Sequence, residues 1–576
     1  MISLFEKQYI AVLLIIGISL TVFYPTLNSN VIDLDDTTMI LNLNNPDNHY
    51  PVKDLFRPHG LGIYYRPLLM LSFIVDSKIW MYEFSGYHLT NIIFHLLNAL
   101  VFYFIALAFF KGKPRFRMVS FFLAIGFVLN PLTIESVAWI SGRTDILSAF
   151  FSLIAFFFYL SGLKFKSVFV SIFFLSGLLA KENAICLFLI IILCEFAFNY
   201  PGKGVKYSAV RSLSWAGILA VPLFAYLYLR FAGFGLVQFQ EQINPVPVQG
   251  LHLKEGVSLS SQMISGFFTL PAAIAFYLKK LIYPFPLNFA ISQINLPLYS
   301  VVFVFIVLVC TVLVIKKKFY YPFWILLMCI SFLPALPVAL ADVAWTRFAE
   351  RYLYLSVPLI CLFSGDLFYK NCLRFPEKVR VIKTIAFLIL IFFCFASIQR
   401  VNIWRDRKSL WADTLKKNPT NGKVLYKYGS VLGGKKGLPY FKRAVEHSKD
   451  SEWRDFSLLI LAREETNNFN YNKAYDLIRE AIEINPERQN CYKAAGILRR
   501  IIKVKHLAES KYTSLEIKCY NLAYEKSPNP EDLLKLIQIF DSLNDEDNIK
   551  KYTMLLKKKF PTSKPAKYVS TKYSKY

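Results

Sequence analysis

The sequence predicts an all-α chain, a polytopic helical membrane protein followed by a soluble helical tail. Three observations predict it. Of 576 residues, 55% are hydrophobic and only 18% are charged, below the roughly 25% charge of an average soluble domain. Nearly all long apolar runs lie before residue 400. The stretch from Arg400 to Tyr576 instead carries 36 Lys/Arg against 21 Asp/Glu, a net of +15. This distribution excludes a single soluble domain, a disordered chain and a coiled-coil rod. It divides the chain into a membrane domain, residues 1–400, and a helical domain, residues 401–576, with a basic C-terminal end.

The first apolar run, Tyr9 to Tyr24, has no small-residue cleavage site after it and reads as an uncleaved first span. Further spans centre on residues 88–110, 118–132, 143–161, 167–180, 184–199, 213–231, 300–315, 320–340, 352–369 and 384–398, about eleven in all. Basic clusters at 111–117, 164–166, 203–211, 316–318 and 370–383 all face the cytoplasm if the N-terminus is inside and residues 259–283 make no net crossing. That run is interrupted by Pro271 and ends in Lys279, Lys280 and Pro284, which suits a re-entrant or interfacial helix. The tail and the first long loop, about 25–87, then lie outside; a full crossing by 259–283 would return the tail to the cytoplasm. Heavy Ile, Lys, Phe and Asn usage and a short tail point to a bacterial inner membrane, with the site and the tail periplasmic.

The net charge of +27 sits in short connections between apolar runs, the pattern that orients a membrane protein, so no nucleic-acid partner is expected. Six of the nine cysteines, Cys186, Cys194, Cys310, Cys329, Cys361 and Cys394, lie inside apolar runs as small hydrophobes, and no CxxC or metal spacing occurs.

In the tail, taking Pro486 as the close of a 34-residue unit puts Leu458, Leu461, Ala462, Ala474, Ile478 and Ala481 on the small and apolar positions of a tetratricopeptide repeat (TPR). A following unit keeps Gly496 and Ala508 in phase and then loses the pattern before Pro528. Such a tail is a curved peptide-binding scaffold or a helical cap, and both readings stay open. The stretch from Lys557 to Tyr576 reads as a frayed basic end.

Ionisable residues beside membrane spans are costly and are functional candidates by default. The first loop holds Asp33, Asp35 and Asp36, then Tyr64, Tyr65 and Arg66. Two adjacent carboxylates repel each other, which suits one to act as a base, although Asp-Asp-Thr-Thr is also a helix-capping sequence. His88, Asn91, His95 and Asn98 fall on one helix face. The deeper pair reads as interhelical hydrogen bonds, and His88, nearest the loop, is the better site candidate. About 13 residues separate Arg117 from Pro131, a rise of about 20 Å, so Glu135 is expected to lie recessed. Arg143 either pairs with Glu135 or Asp145 or offers its fork to a phosphate. Lys181 and Glu182 interrupt an apolar stretch, and Asp342, Arg347, Glu350 and Arg351 gather before another.

Carboxylates in one loop and cations in three others suit transfer of a sugar from a lipid phosphate. The acceptor oxygen needs a base, and the departing phosphate needs cations but no protein acid.

The strings IDLDD with NLNNPD, YYRPLLMLSF, GYHLTNIIFHLLNAL, NPLTIESVAWISGRTDILSAFF, LLAKENA and ERYLYLSVP resemble the transmembrane and tetratricopeptide repeat O-mannosyltransferase family and its bacterial relatives, over most of residues 1–400. The resemblance implies the type-C glycosyltransferase fold. It also implies inverting transfer from a polyprenyl-phosphate sugar to an acceptor hydroxyl, on protein Ser/Thr, at the non-cytoplasmic side. It carries the base onto Asp35 or Asp36, with Asp35 favoured as first of the acidic pair. It makes Arg66, Arg143 and Lys181 phosphate ligands, with Arg351 and Arg347 beside them and His88, Asn91, Glu135 and Glu182 in support. The family commonly works without a metal or other cofactor, whereas related oligosaccharide-transferring enzymes need a divalent cation. The implied partners are the lipid-linked sugar, membrane lipids and an acceptor peptide held by the tail. Two rival readings are a flippase for a lipid-linked saccharide and a non-catalytic membrane scaffold.

Overall fold

The computed structural model describes residues 7–29, 35–46, 48, 50–57, 65–241, 266, 269–341, 346–448, 452–505 and 510–573. Asp33, Tyr64, Asp342, Ala508 and residues 259–265 of the interrupted run lie outside them. Among the described residues every regular element is helical, and extended backbone pairs only at the isolated bridge between Ile291 and Phe348. The chain forms two compact units, Met1–Leu410 and Trp411–Tyr576, against a sequence boundary at residue 400.

The first unit opens with α1 (Gln8–Phe23), α2 (Asp36–Asn44), α3 (Val52–Leu55), α4 (Pro67–Trp80), α5 (Phe84–Phe109), α6 (Phe116–Val128), α7 (Ile134–Ala138), α8 (Arg143–Leu160), α9 (Lys166–Ala180) and α10 (Cys186–Glu241). It is a multi-pass membrane protein by helix length and composition. Each of the eleven expected runs falls on helix, yet eight helices among the described residues are long and apolar enough to cross a membrane, or nine if one bent pair counts as a span. The difference has physical causes. Two runs share the 50-residue stretch Glu182–Phe231, which breaks where Gly204 takes φ 76° and ψ 174°. Helix α9 has 15 residues, about 22 Å of rise and short of a bilayer core. The run at 118–132 bends by 47° between α6 and the segment Pro131–Ala138.

That bend is written locally. Asn130 caps a 3₁₀ turn, its side-chain oxygen accepting from Leu132 N at 3.0 Å, and Pro131 supplies the pre-set φ of the first helical position. The turn folds Glu135 inward, where it is 1% exposed.

Helix α5 buries all four members of its polar stripe, His88, Asn91, His95 and Asn98. The deeper pair makes the interhelical bonds expected of it. His95 Nδ1 lies 2.6 Å from the Tyr354 hydroxyl, and Asn98 Nδ2 donates to that hydroxyl and to Ile146 O at 3.0 Å. Where water is absent such polar groups must find one another.

The second unit is a run of paired helices: Gly422–Leu432 with Gly434–His447, Glu452–Asn467 with Tyr471–Ile484, Arg488–Lys505 with Lys511–Lys526, and Pro530–Ser542 with Glu546–Lys559. Leu458, Ala462, Ala474, Ile478 and Ala481 are fully buried between them, on the faces their spacing predicts. Two expectations fail here. Gly496 is exposed, with open space where a Cβ would sit, and Ala494, Ala495 and Leu498 form the buried face of that helix instead. The basic end is not frayed as far as it is described. Lys564–Lys572 is helical, Val569 is fully buried, and Tyr573 Oη donates to Asp541 Oδ2 at 2.7 Å.

Two helices of this unit approach closely at Gly429 and Gly437, where a Cβ on Gly437 would collide with the Gly429 carbonyl oxygen. Gly437→Val is expected to destabilise this pair by about 1–3 kcal/mol through overpacking. Hydrogen exchange on the full chain checks it, with protection of Gly434–His447 falling while the helices of residues 84–109 keep theirs.

Candidate functional site

The acidic pair of the first loop divides at the start of α2. Asp35 is the N-cap residue and is exposed, and its side chain makes no cap hydrogen bond. Asp36 is 1% exposed, and its Oδ1 accepts from Ser141 N at 2.9 Å and Ser141 Oγ at 2.5 Å. Burial pushes the Asp36 carboxyl up to about 7 and the Asp35 charge pushes the same way, while the two hydrogen bonds from Ser141 pull against both.

Ser141 is held by its neighbours. Asn91 Nδ2 faces three carbonyls of the turn, Trp139 O at 3.0 Å, Ile140 O at 3.2 Å and Val137 O at 3.4 Å. Its Oδ1 accepts from Arg143 Nε at 2.7 Å. Arg143 is fully buried; its Nη2 lies 2.6 Å from Asp76 Oδ2 and donates to Tyr87 O at 3.0 Å, and its guanidinium stacks 4.2 Å over Phe73. Thr90 donates to the other Asp76 oxygen at 2.9 Å. Between Ser141 and Arg143 only glycine fits, because a Cβ on Gly142 would strike the Ser136 carbonyl. Arg143 therefore pairs with neither Glu135 nor Asp145, and its donors serve the turn that carries Ser141. His88 is buried beside this network.

The cations gather through aromatic rings. Arg351 stacks 5.1 Å from the Trp139 ring and 4.9 Å from the Tyr352 ring, and Lys181 Nζ lies 5.6 Å from the same Tyr352 ring. Arg351 pairs with Glu135 at 2.5 Å, and the other Glu135 oxygen accepts the backbone amides of Glu350 and Arg351 at 3.1 and 3.2 Å. Glu135 thus caps a 3₁₀ turn as an anion at a helical N-terminus. Lys181 pairs with Asp145 at 2.6 Å. Arg66 makes a two-pronged contact with Glu182, at 3.0 and 2.6 Å, and Arg230 reaches the same carboxylate at 3.8 Å. Arg347 stands apart from this chain of contacts: its Nε donates to Ala339 O at 2.6 Å.

The turn carrying Trp139 and Ser141 joins these contacts, with Ser141 bonded to Asp36 and the Trp139 ring 5.1 Å from the Arg351 guanidinium. Sequence reasoning missed Trp139, Ser141, Tyr352, Asp76 and Arg230. Asp76 and Arg230 were findable by the rule applied to the others, since both are ionisable residues within apolar helices. Among the described residues no group of three His, Cys, Asp or Glu side chains is placed to hold a metal ion.

A multi-pass helical bundle with buried ion pairs and an acidic loop defines the class of chain to which relatives can be compared. A protein O-mannosyl-transferase of Caenorhabditis elegans is 26% identical over 382 residues, 64% of this chain and 51% of the relative. Protein O-mannosyl-transferase TMTC3 of Homo sapiens is 29% identical over 157 residues, 25% of this chain and 16% of the relative. Protein O-mannosyl-transferase TMTC1 of Mus musculus is 35% identical over 101 residues, 17% of this chain and 10% of the relative. The chain spans about half the length of the worm relative. No family model and no solved structure matches. All three relatives are named protein O-mannosyl-transferases, and the human and mouse ones are TMTC proteins, in line with the family that the motifs resemble.

Removing one partner of the sealed Arg143–Asp76 pair leaves a buried charge uncompensated, a cost of about 3–5 kcal/mol. Asp76→Ala is expected to lower the melting temperature sharply, and Asp76→Ala combined with Arg143→Met to restore much of it. Equal melting of the single and double variants would contradict the pairing.

Proposed function

We propose that this chain is a membrane-embedded glycosyltransferase of type-C fold that moves a sugar from a polyprenyl-phosphate donor to a hydroxyl of a protein acceptor on the non-cytoplasmic side, with inversion. The curated relatives, named as protein O-mannosyl-transferases, support the class. The observation that carries the reading within this chain is the turn 139–141, whose Ser141 holds Asp36 while its Trp139 ring lies against Arg351, with Lys181 reached through Tyr352.

Asp35, open to an acceptor, takes the hydroxyl proton, since reach comes before basicity in choosing a base. The acceptor oxygen attacks the anomeric carbon on the face opposite the phosphate, and the bond from that carbon to the phosphate oxygen breaks with its electron pair leaving on phosphate. Lys181 and Arg66 neutralise that departing charge, with Arg351 beside them, in surroundings that contain little water. A phosphate leaves without a protein acid, so the step itself calls for no cofactor. Asp36 is a positioning residue, and its ionisation strengthens Asp35 as a base through like charge. Arg143 and Asn91 hold the turn rather than the phosphate. The helical tail, read as degenerate TPR units, would present acceptor peptides, and a periplasmic location suits the basic connections on the opposite face.

Transfer from a radiolabelled polyprenyl-phosphate sugar to acceptor peptide tests this. Asp35→Asn is expected to lose about 10²–10⁴-fold in rate, the span of general-base catalysis, with folding retained. Full transfer by Asp35→Asn with complete loss in Asp36→Asn would exchange their roles; full transfer by both would reject the loop as the source of the base.

The pH dependence follows from Asp36. Its carboxyl, raised to about 7, protonates as pH falls through that value, so kcat/KM is expected to decline on that acid limb. In Asp36→Asn the limb moves to lower pH, and an unmoved limb would assign it to another group.

A further inference from the structure

Among the carboxylates that pair with the cations of this site, Glu182 differs from the rest. Asp145 and Glu135 have side chains 1% exposed, each closed over by its partner. The Glu182 side chain is 33% exposed, more than either of its arginines, Arg66 at 15% and Arg230 at 22%. It therefore occupies the open side of the cluster. Its contact with Arg66 uses Nε and Nη2 together, the two-pronged geometry by which guanidinium also takes phosphate oxygens. Arg230 comes from the far part of the long α10 stretch, and its Nη1 donates to the Tyr226 hydroxyl at 2.8 Å. The Tyr226 ring in turn packs 6.3 Å from Tyr65, the neighbour of Arg66. Two guanidinium groups remote in sequence thus meet at one carboxylate.

We propose that Glu182 is an exchangeable counter-ion and that Arg230 is a further ligand of the donor's phosphate: the lipid-linked phosphate displaces the Glu182 carboxylate and takes over the donors of Arg66 and Arg230. This rests on the function proposed above. In the resting protein the carboxylate keeps two half-buried cations matched. On donor binding it yields to an anion of the same oxygen geometry, so the site is never left with bare charge in a low-dielectric setting. A displaced carboxylate also competes with the ligand, which makes the proposal distinguishable from simple phosphate binding by Arg66.

Binding of farnesyl phosphate to the full chain in detergent, read by competition with a fluorescent polyprenyl phosphate, tests it. Arg230→Gln is expected to weaken binding about tenfold, the worth of one charge-assisted hydrogen bond, and Arg230→Lys by less. Glu182→Gln is expected to tighten binding by a similar factor, and the gain to shrink when Arg230→Gln is added. Where Glu182→Gln does not fold, Glu182→Asp, one methylene shorter, gives the same direction. Unchanged or weaker binding in the Glu182 variants, or unchanged binding in Arg230→Gln, overturns the inference. Inorganic phosphate competing as strongly as farnesyl phosphate would indicate a free-anion site and also overturns it. Absence of binding by the wild-type chain, or no loss in Arg66→Gln and Lys181→Gln, would instead sink the donor reading itself. Loss in those two with no effect of Arg230→Gln sinks this inference alone.

Discussion

The ion pair of Arg143 with Asp76 is the constraint on which the rest of the site depends. Both residues are almost wholly removed from solvent, and each would cost several kcal/mol if left alone. Their pairing fixes the guanidinium, which fixes Asn91, which gathers the carbonyls before Ser141, which grips Asp36. A carboxylate in a loop far along the chain is thereby located by a charge pair between two helices. Packing alone does not do this, because apolar contact is non-directional, whereas an arginine fork has a fixed plane and fixed donor directions.

The carboxylates named above differ in exposure. Asp76, Glu135, Asp145 and Glu350 are sealed, each holding a cation in place with its oxygens spent. Asp35 and Glu182 lie toward solvent. A sealed pair holds its two elements in one geometry, because separating it would leave a buried charge uncompensated. The Tyr352 ring joins two of the sealed pairs, meeting both Arg351 and Lys181, since a ring face accepts a cation without claiming its hydrogen-bond donors.

Much of this was legible in the sequence and some was not, for identifiable reasons. The helical class followed from apolar run length, and the buried stripe of α5 followed from residue spacing. Its partner, Tyr354, is more than 250 positions away and carries no local signal. The charge of Arg143 was visible while its burial was not, so its pairing with Asp76, rather than with Glu135 or Asp145, emerged only in the structure. Trp139 and Tyr352 were lost among 8 Trp and 34 Tyr, a background expected of any lipid-facing chain. In the tail, Ala474 and Ala481 marked close helix approach correctly, but Gly496 did not, because a small residue marks contact only when its face is turned inward.

Glu350 has a bearing on how the chain matures. Its carboxylate is met by Lys280 at 2.7 Å and by Arg400, at 3.9 Å, near the end of the helix Val379–Ile403. During synthesis the acid precedes its second cation by fifty positions, so a nascent bundle lacking that final helix harbours an anion with half of its eventual compensation. The second cation thus arrives only with the helix Val379–Ile403, the last long apolar helix of the unit among the described residues.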